Sequence, residues 1–157
     1  MANDVALVRA VGTLTATGNF TSNDTVVVGA KTYKFEASPG AENDVDLGAD
    51  LEESLDFLAR AINGTFAVGE AHADTEANDE FTATNTATTL VVTARVAGVQ
   101  GNALAFSEGV DGGTVFSVGA LASGAGDMEA FLQSLVALNQ LNSEVILELN
   151  QVLLVNV

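Results

Sequence analysis

Residues 51–64 read LEESLDFLARAING, and this stretch decides the fold. Its large aliphatic residues recur at spacings of four, three and four, which places them on one stripe of an α-helix. These residues are Leu51, Leu55, Leu58 and Ile62. Acidic residues fill the first turns, where the helix dipole favours them, and Gly64 is a natural C-terminal stop. The stretch therefore predicts an amphipathic helix that packs on one face of a β-sheet.

Segments rich in Val, Thr and aromatic residues lie on both sides of this helix. Residues 26–28 and 32–35 flank Gly29 and Ala30, where glycine can adopt the positive φ of a tight turn, so they predict a β-hairpin. Further strands are predicted at residues 5–14, 80–85, 88–95, 103–107 and 114–118. Together these segments indicate an α+β fold, a mainly antiparallel β-sheet with one packed helix.

Two connections differ in character from the predicted strands. Residues 65–79 are small, polar and acidic, include the single histidine, His72, and are interpreted as a mobile or surface loop. Gly98, Gly101 and Asn102 predict a turn between the predicted strands at residues 88–95 and 103–107.

A change of composition at residues 122–126, which read ASGAG, divides the chain. We interpret residues 1–121 as the α+β domain, residues 122–126 as a hinge, and residues 127–157 as a C-terminal helical oligomerisation segment. Asp127 is a suitable N-cap for this second helix.

Heptad spacing in the C-terminal segment predicts an oligomer interface. One heptad position holds Met128, Leu135, Asn142 and Leu149, and the other holds Phe131, Leu138, Val145 and Val152. Additional Leu, Ile and Val residues widen the apolar surface beyond a two-stranded seam, which favours a bundle of three or more helices.

Two alternatives for this segment stay open. The helix could fold back on its own domain, or residues 145–157, dense in Val, Ile and Leu, could end as a strand. A membrane span is disfavoured because Asn, Gln and Glu interrupt the apolar run.

The charge of the chain excludes several classes of partner. Asp and Glu number 21 against five Lys and Arg, for a net charge of −16. Such a field repels nucleic acid and anionic lipid, so neither nucleic acid nor membrane is expected as a partner. Acidity keeps a concentrated protein soluble, and it also suits a basic partner surface. The start of the chain lacks the pattern of a signal peptide.

Residue types that carry catalysis or bind metals do not fall into working patterns. Cysteine is absent, which removes disulfides, thiolate metal sites and Cys nucleophiles. Acidic residues between Glu42 and Asp50 fail the spacing of a calcium loop, and the carboxylates near His72 lie in a loop-like stretch rather than on a helix that would hold them at ligand spacing. Ser123 lacks the flanking glycine of a nucleophile elbow. We therefore expect no catalytic residues, no metal and no cofactor.

The order of three segments resembles a module that recurs in virion proteins of tailed bacteriophages. The segments are residues 26–35, the helix ending in Ala61-Ile62-Asn63-Gly64, and residues 91–104, which read VVTARVAGVQGNAL. The resemblance covers roughly residues 10–125 and implies a structural building block of head or tail proteins, with no catalytic residues to transfer. The C-terminal segment is not part of it.

This resemblance and the short chain favour a capsid decoration (cement) protein. Such a subunit would sit on the outer surface of the capsid in the virion and bridge subunits of the major capsid protein. The apolar C-terminal segment adds the expectation of a homo-oligomer, with three copies as the expected number. The alternative is a tail or baseplate subunit that contacts neighbouring tail proteins, followed by a host-surface adhesin.

Overall fold

A computed structural model describes residues 7–109, 116–118, 121–122, 124 and 128–155. The strands are β1 (Arg9–Ala16), β2 (Thr25–Val28), β3 (Lys31–Glu36), β4 (Asp44–Asp46), β5 (Phe81–Asn85), β6 (Thr89–Ala97), β7 (Phe106–Gly109) and β8 (Phe116–Val118). The helices are α1 (Leu51–Asn63) and α2 (Met128–Val155).

Within the described ranges the strands form two four-stranded sheets, in the orders β5-β6-β1-β8 and β4-β3-β2-β7. All pairings are antiparallel except that of β3 with β4. The predicted α+β class is confirmed, and the mainly antiparallel strands divide between two sheets. We call β5-β6-β1-β8 the first sheet and β4-β3-β2-β7 the second sheet.

The inward faces of both sheets and the apolar stripe of α1 share one core. Leu55, Leu58 and Ile62 of α1 are fully buried, as are Tyr33 and Phe35 of β3. Burial of each large aliphatic side chain stabilises the fold by about 2 kcal/mol. The helix predicted from the spacing of its leucines is thus confirmed, together with its packing on β-structure.

Local chemistry fixes both ends of α1. The Asp50 side chain accepts a hydrogen bond from the Glu53 N–H (3.0 Å), and the Glu53 carboxylate accepts one from the Ala49 N–H (2.7 Å). Gly64 ends the helix with a φ of 68°, and a Cβ there would lie 2.7 Å from that of Ala77. A side chain at this position is excluded by both conformation and space.

The hairpin of β2 and β3 is confirmed, with Gly29 at a φ of 63° in the turn. Among the other aromatic residues, Phe81 and Phe106 are buried and Phe57 is partly buried. The side chain of Phe116 lies outside the described residues.

The connection between α1 and β5 is more firmly held than its composition suggested. Ala71, Thr75 and Asn78 are buried, and Ala71 pairs with Val45 beside the second sheet. Most other residues of 65–79 are exposed, so the interpretation as a mobile or surface loop is wrong only for these buried positions. Small polar residues lie inside here because their side chains bond to the main chain of the elements around them.

The turn after β6 does not lead directly into a strand at residue 103, as the sequence had predicted. Gly98, at a φ of 101°, precedes a 3₁₀ turn over Val99–Ala103, and β7 begins only at Phe106. Because β6 belongs to the first sheet and β7 to the second, this turn carries the chain across the core.

The described residues of the predicted hinge are attached to the domain. Ala122 pairs with Val11, and the Asn102 side chain exchanges two hydrogen bonds of 3.0 Å with the main chain of Gly124. The proposed N-cap, Asp127, lies outside the described residues. Helix α2 continues to Val155, so the alternative of a strand is wrong up to that residue.

Asn78 supplies the first test of this architecture. Its amide donates to the Val28 carbonyl (2.8 Å), its side-chain oxygen accepts from the Glu80 and Phe81 N–H groups (3.0 Å each), and its own N–H donates to the Ile62 carbonyl (2.8 Å). Asn78→Ala should lower the free energy of unfolding by about 2–4 kcal/mol, because it leaves buried main-chain groups unpaired. Urea unfolding followed by circular dichroism measures the change. Asn85→Ala, at the partly exposed end of β5, is the control, and equal stabilities of the two variants would contradict this role of Asn78.

Candidate assembly interface

Helix α2 is the longest element of the chain, with 28 residues. Its sequence contains neither glycine nor proline and includes eight Leu, three Gln and three Glu, all of which favour the helical state. A helix of this length extends for about 42 Å.

Every described side chain of α2 is exposed, from Leu132 to Leu147. The exposed set includes Leu132, Leu135, Val136, Leu138, Leu141, Val145, Ile146 and Leu147, each between 47% and 61% accessible. The alternative in which this stretch folds back on its own domain would bury one face of it, and no such face is present among these residues. A helix with this composition is normally covered by other protein.

The structure places the predicted interface residues along α2 as the heptad pattern requires. Leu135, Leu138, Asn142 and Val145 are exposed and follow one another at intervals of three and four residues. Met128, Phe131, Leu149 and Val152 lie in the helical backbone, but their side chains are outside the described residues. At about 100° per residue, the four described positions form one narrow stripe.

The apolar surface is wider than that stripe. Leu132, Val136, Ile146 and Leu147 lie on one side of it and Leu141 on the other, so that apolar side chains cover roughly two thirds of the circumference. Gln133, Gln140 and Glu144 fall on the remaining face. A surface of this width suits contact with two or more neighbouring helices at once.

Acidic side chains on the domain have local roles. Asp44 is buried, and its carboxylate accepts hydrogen bonds from the Gly40 (3.0 Å) and Ala41 (2.8 Å) N–H groups. Asp50, Glu52, Glu53, Asp56 and Asn85 line an open cleft of about 620 Å³ at the start of α1. Within the described ranges, no three His, Asp or Glu side chains are arranged to hold a metal ion.

His72 lies beside a second, more apolar depression rather than an acidic site. Its ring is partly exposed, and Nδ1 accepts a hydrogen bond from the Asp74 N–H (3.3 Å). Pro39, Phe66 and Val68 line the same depression. The described residues that line this depression with His72 carry no hydroxyl, thiol or amine side chain.

The pKa values of two carboxyl groups on the second sheet are shifted in opposite directions. The Glu36 carboxyl has a lowered pKa, because Lys34 and the Ser22 hydroxyl donate hydrogen bonds to its ionised form. Burial raises the pKa of the Asp46 carboxyl, and the nearby charge of Glu53 adds to that rise against a hydrogen bond from Leu47.

Comparison with protein-family models, with curated protein sequences and with solved structures yields no match. In the part of the chain that is described, no helix is both long enough and apolar enough to cross a membrane. The candidate interface is therefore identified from the exposure and spacing of its own residues.

The opposite pKa shifts of Asp46 and Glu36 predict that uncharged substitutions at the two positions have opposite effects on thermal stability. The pKa of the Asp46 carboxyl is higher in the folded state than in the unfolded state. Protonation of Asp46 therefore stabilises the fold at low pH, and this stabilisation is lost as the pH rises through the folded-state pKa. Asp46→Asn should therefore raise the thermal midpoint at pH 7, with the gain disappearing below about pH 4.

Glu36→Gln is the matched control for this experiment. The stability that Glu36 contributes is present at neutral pH and lost on acidification, so its replacement should lower the midpoint at pH 7 and have little effect at low pH. Thermal unfolding across pH 3–8 measures both variants. If the thermal midpoints of both variants changed in the same direction at pH 7, the environments assigned to Asp46 and Glu36 would be contradicted.

Proposed function

We propose that this chain is a structural component of a tailed-bacteriophage particle, a capsid decoration (cement) protein that self-associates through α2 and bridges subunits of the major capsid protein on the outer surface of the capsid. The observation that carries the proposal is the exposed apolar surface of α2, attached to a domain that resembles a virion module. A surface of this kind is expected of a subunit that acts by binding other proteins.

The domain has a buried core whereas the described side chains of α2 are exposed, and this difference supports the proposal. All buried hydrophobic residues of the core cluster lie between Ala10 and Leu121, and none lies in the described part of α2, residues 132–147. The domain thus has a complete core of its own among the described residues, and α2 is left available for contact with other copies.

Energetics favour association through α2. Burial of one leucine side chain contributes about 2 kcal/mol, and each copy presents eight exposed large aliphatic residues between Leu132 and Leu147. Even partial burial of this set offsets the loss of translational and rotational freedom on association, which is of the order of 4–15 kcal/mol. Closed symmetry with three copies would cover the broad apolar face better than a two-stranded pair.

The acidity of the chain suits attachment to a basic surface of the capsid. The net charge is −16, and exposed carboxylates such as Glu42, Glu52 and Asp74 lie on the surface of the domain. Contacts of complementary charge accelerate binding to a partner, and many modest contacts on one oligomer sum to a stable attachment.

The first test concerns α2. Replacement of Leu135 and Leu138 by Asp should convert the oligomer into folded monomers, because each carboxylate would be buried without a partner at a cost of several kcal/mol. Removal of all residues after Gly126 should have the same effect. Light scattering gives the mass, and circular dichroism reports the fold of the domain.

A matched double variant on the polar face is the control. Replacement of Gln133 and Gln140 by Asp adds the same charge to the same helix and should leave the mass unchanged. An intact chain that is already monomeric would contradict the oligomer, and a truncated chain that unfolds would show that α2 belongs to the core of the domain.

The second test concerns the particle. Phage heads assembled without this protein should bind the added full chain at saturable, symmetric sites and should withstand heat or low salt better once it is bound. Electron microscopy of the decorated heads locates the sites. Binding to tails or baseplates instead would favour the alternative subunit, and binding to neither would overturn a structural role in the particle.

A further inference from the structure

The first sheet is free of acidic residues. None of the 21 Asp and Glu residues lies in β1, β5, β6 or β8, and the charged residues in these strands are Arg9 and Arg95. The second sheet, by contrast, carries Glu36, Asp44, Asp46 and Glu108. Carboxylates are therefore not excluded from strands in general, and their absence sets the first sheet apart.

The outward face of this sheet consists of short β-branched side chains in cross-strand rows. Val11 pairs with Thr93, which pairs with Thr82, and the next row along the sheet contains Thr13, Val91 and Thr84. These positions alternate with buried residues, so their side chains face away from the core. The face is uncharged over both rows.

Exposed apolar residues gather at one end of this sheet. Five large aliphatic side chains are exposed in residues 7–109, and four of them are Val8, Val11, Val96 and Val99. The main chain brings these residues to the same end of the sheet, because Arg9 is paired with Ala97 and the Val8 carbonyl accepts a hydrogen bond from the Gly98 N–H (2.8 Å). We call Val8, Arg9, Val11, Arg95, Val96 and Val99 the root patch.

The two arginines of the root patch bond to main-chain oxygens. Arg9 donates to the Ala94 carbonyl (3.2 Å), and Arg95 donates to the carbonyls of Asn78 (3.0 Å) and Phe81 (3.1 Å). Lys34 and Arg60, by contrast, form ion pairs with carboxylates. Across the described residues, no carboxylate lies within 4.0 Å of either root-patch guanidinium.

The root patch lies where the chain departs toward α2. Ala122 pairs with Val11, and a Cβ on Gly124 would approach the Gly98 carbonyl oxygen to 2.5 Å, so the chain is held tightly against this end of the sheet. Copies that associate through α2 in parallel would consequently bring their root patches to the same end of the bundle.

We propose that the root patch packs against a second copy of this chain, as an extension of the α2 interface onto the domains. The inference rests on the self-association in the proposed function. Two molecules of charge −16 repel each other, and a contact between them costs least where carboxylates are absent. The root patch meets this condition and adds apolar area to the contact.

The experiment compares carboxylates placed inside and outside the patch in the full chain. Val96→Asp should raise at least tenfold the protein concentration at which half of the oligomer dissociates, since it puts an unpaired charge into the contact. Val68→Asp is the control, because Val68 is fully exposed on the loop after α1, away from the patch. Sedimentation velocity over a dilution series gives the dissociation midpoints, and circular dichroism verifies the fold of each variant.

Engineered cysteines provide a second readout, because the chain has no cysteine of its own. A short bifunctional maleimide reagent should link copies that carry Val99→Cys and should not link copies that carry Val68→Cys. Covalent dimers on a denaturing gel in the first case alone would support proximity of the root patches.

The outcomes separate this inference from the proposed function. Unchanged dissociation of the Val96→Asp oligomer, or a monomeric wild-type chain, would overturn the inference. A Val96→Asp variant that stays oligomeric but no longer binds phage heads would assign the patch to the capsid protein and overturn the second copy as its occupant. A wild-type oligomer that responds to Val96→Asp but binds no heads would support the inference and reject the capsid role.

Discussion

Burial of the apolar stripe of α1 is the interaction on which the rest of the structure depends. Leu55, Leu58 and Ile62 have no exposed surface, and the helix contacts β4 of the second sheet and β5 of the first. It thereby joins two sheets whose own edges meet at β7 and β8. Without this helix the inward residues of both sheets, such as Phe35 and Phe81, would face water along an open side.

The chain uses its carboxylates to hold loops around this core. Asp50 caps α1, Asp44 binds the N–H groups of the loop before β4, and Glu70 binds both the Ala67 N–H and Arg60. Hydrogen bonds from main-chain donors stabilise ionised carboxylates, so a net charge of −16 is compatible with a compact domain. Asp46, whose pKa is raised by burial, shows the limit of this arrangement.

Helical and turn features were predictable because their signals are local. The leucine spacing of α1, its Gly64 stop and the Gly29 turn each reflect the conformation of a few adjacent residues. The division of strands between two sheets could not be predicted, because it depends on pairings such as β1 with β6 that are distant in sequence. Asn78 was missed for the same reason, since its partners lie in α1, β2 and β5.

The apolar stripe of α2 was predictable from the sequence, whereas the root patch was not. The sequence nevertheless contains a signal for the root patch. Heptad spacing identified the stripe on α2, as a pattern within one helix can. The root patch combines residues about 90 positions apart, so composition along the chain did not reveal it as a surface. Two long runs without Asp or Glu, residues 5–23 and 81–107, are nevertheless apparent in the sequence and supply three of the four strands of the first sheet.

Charge and apolar surface together restrict how the proposed assembly can form. A helix that displays so many aliphatic side chains would associate indiscriminately if the remaining surface were neutral. Residues 130–143 of α2 contain no charged side chain, as is true of the outward Val and Thr rows of the first sheet, whereas carboxylates surround the second sheet and the start of α1. Contacts between copies that involve the acidic surfaces are therefore opposed by repulsion, and those through α2 and the adjoining sheet are not. In the proposed assembly the same acidity leaves the outer surfaces of the domains free for a partner of the opposite charge.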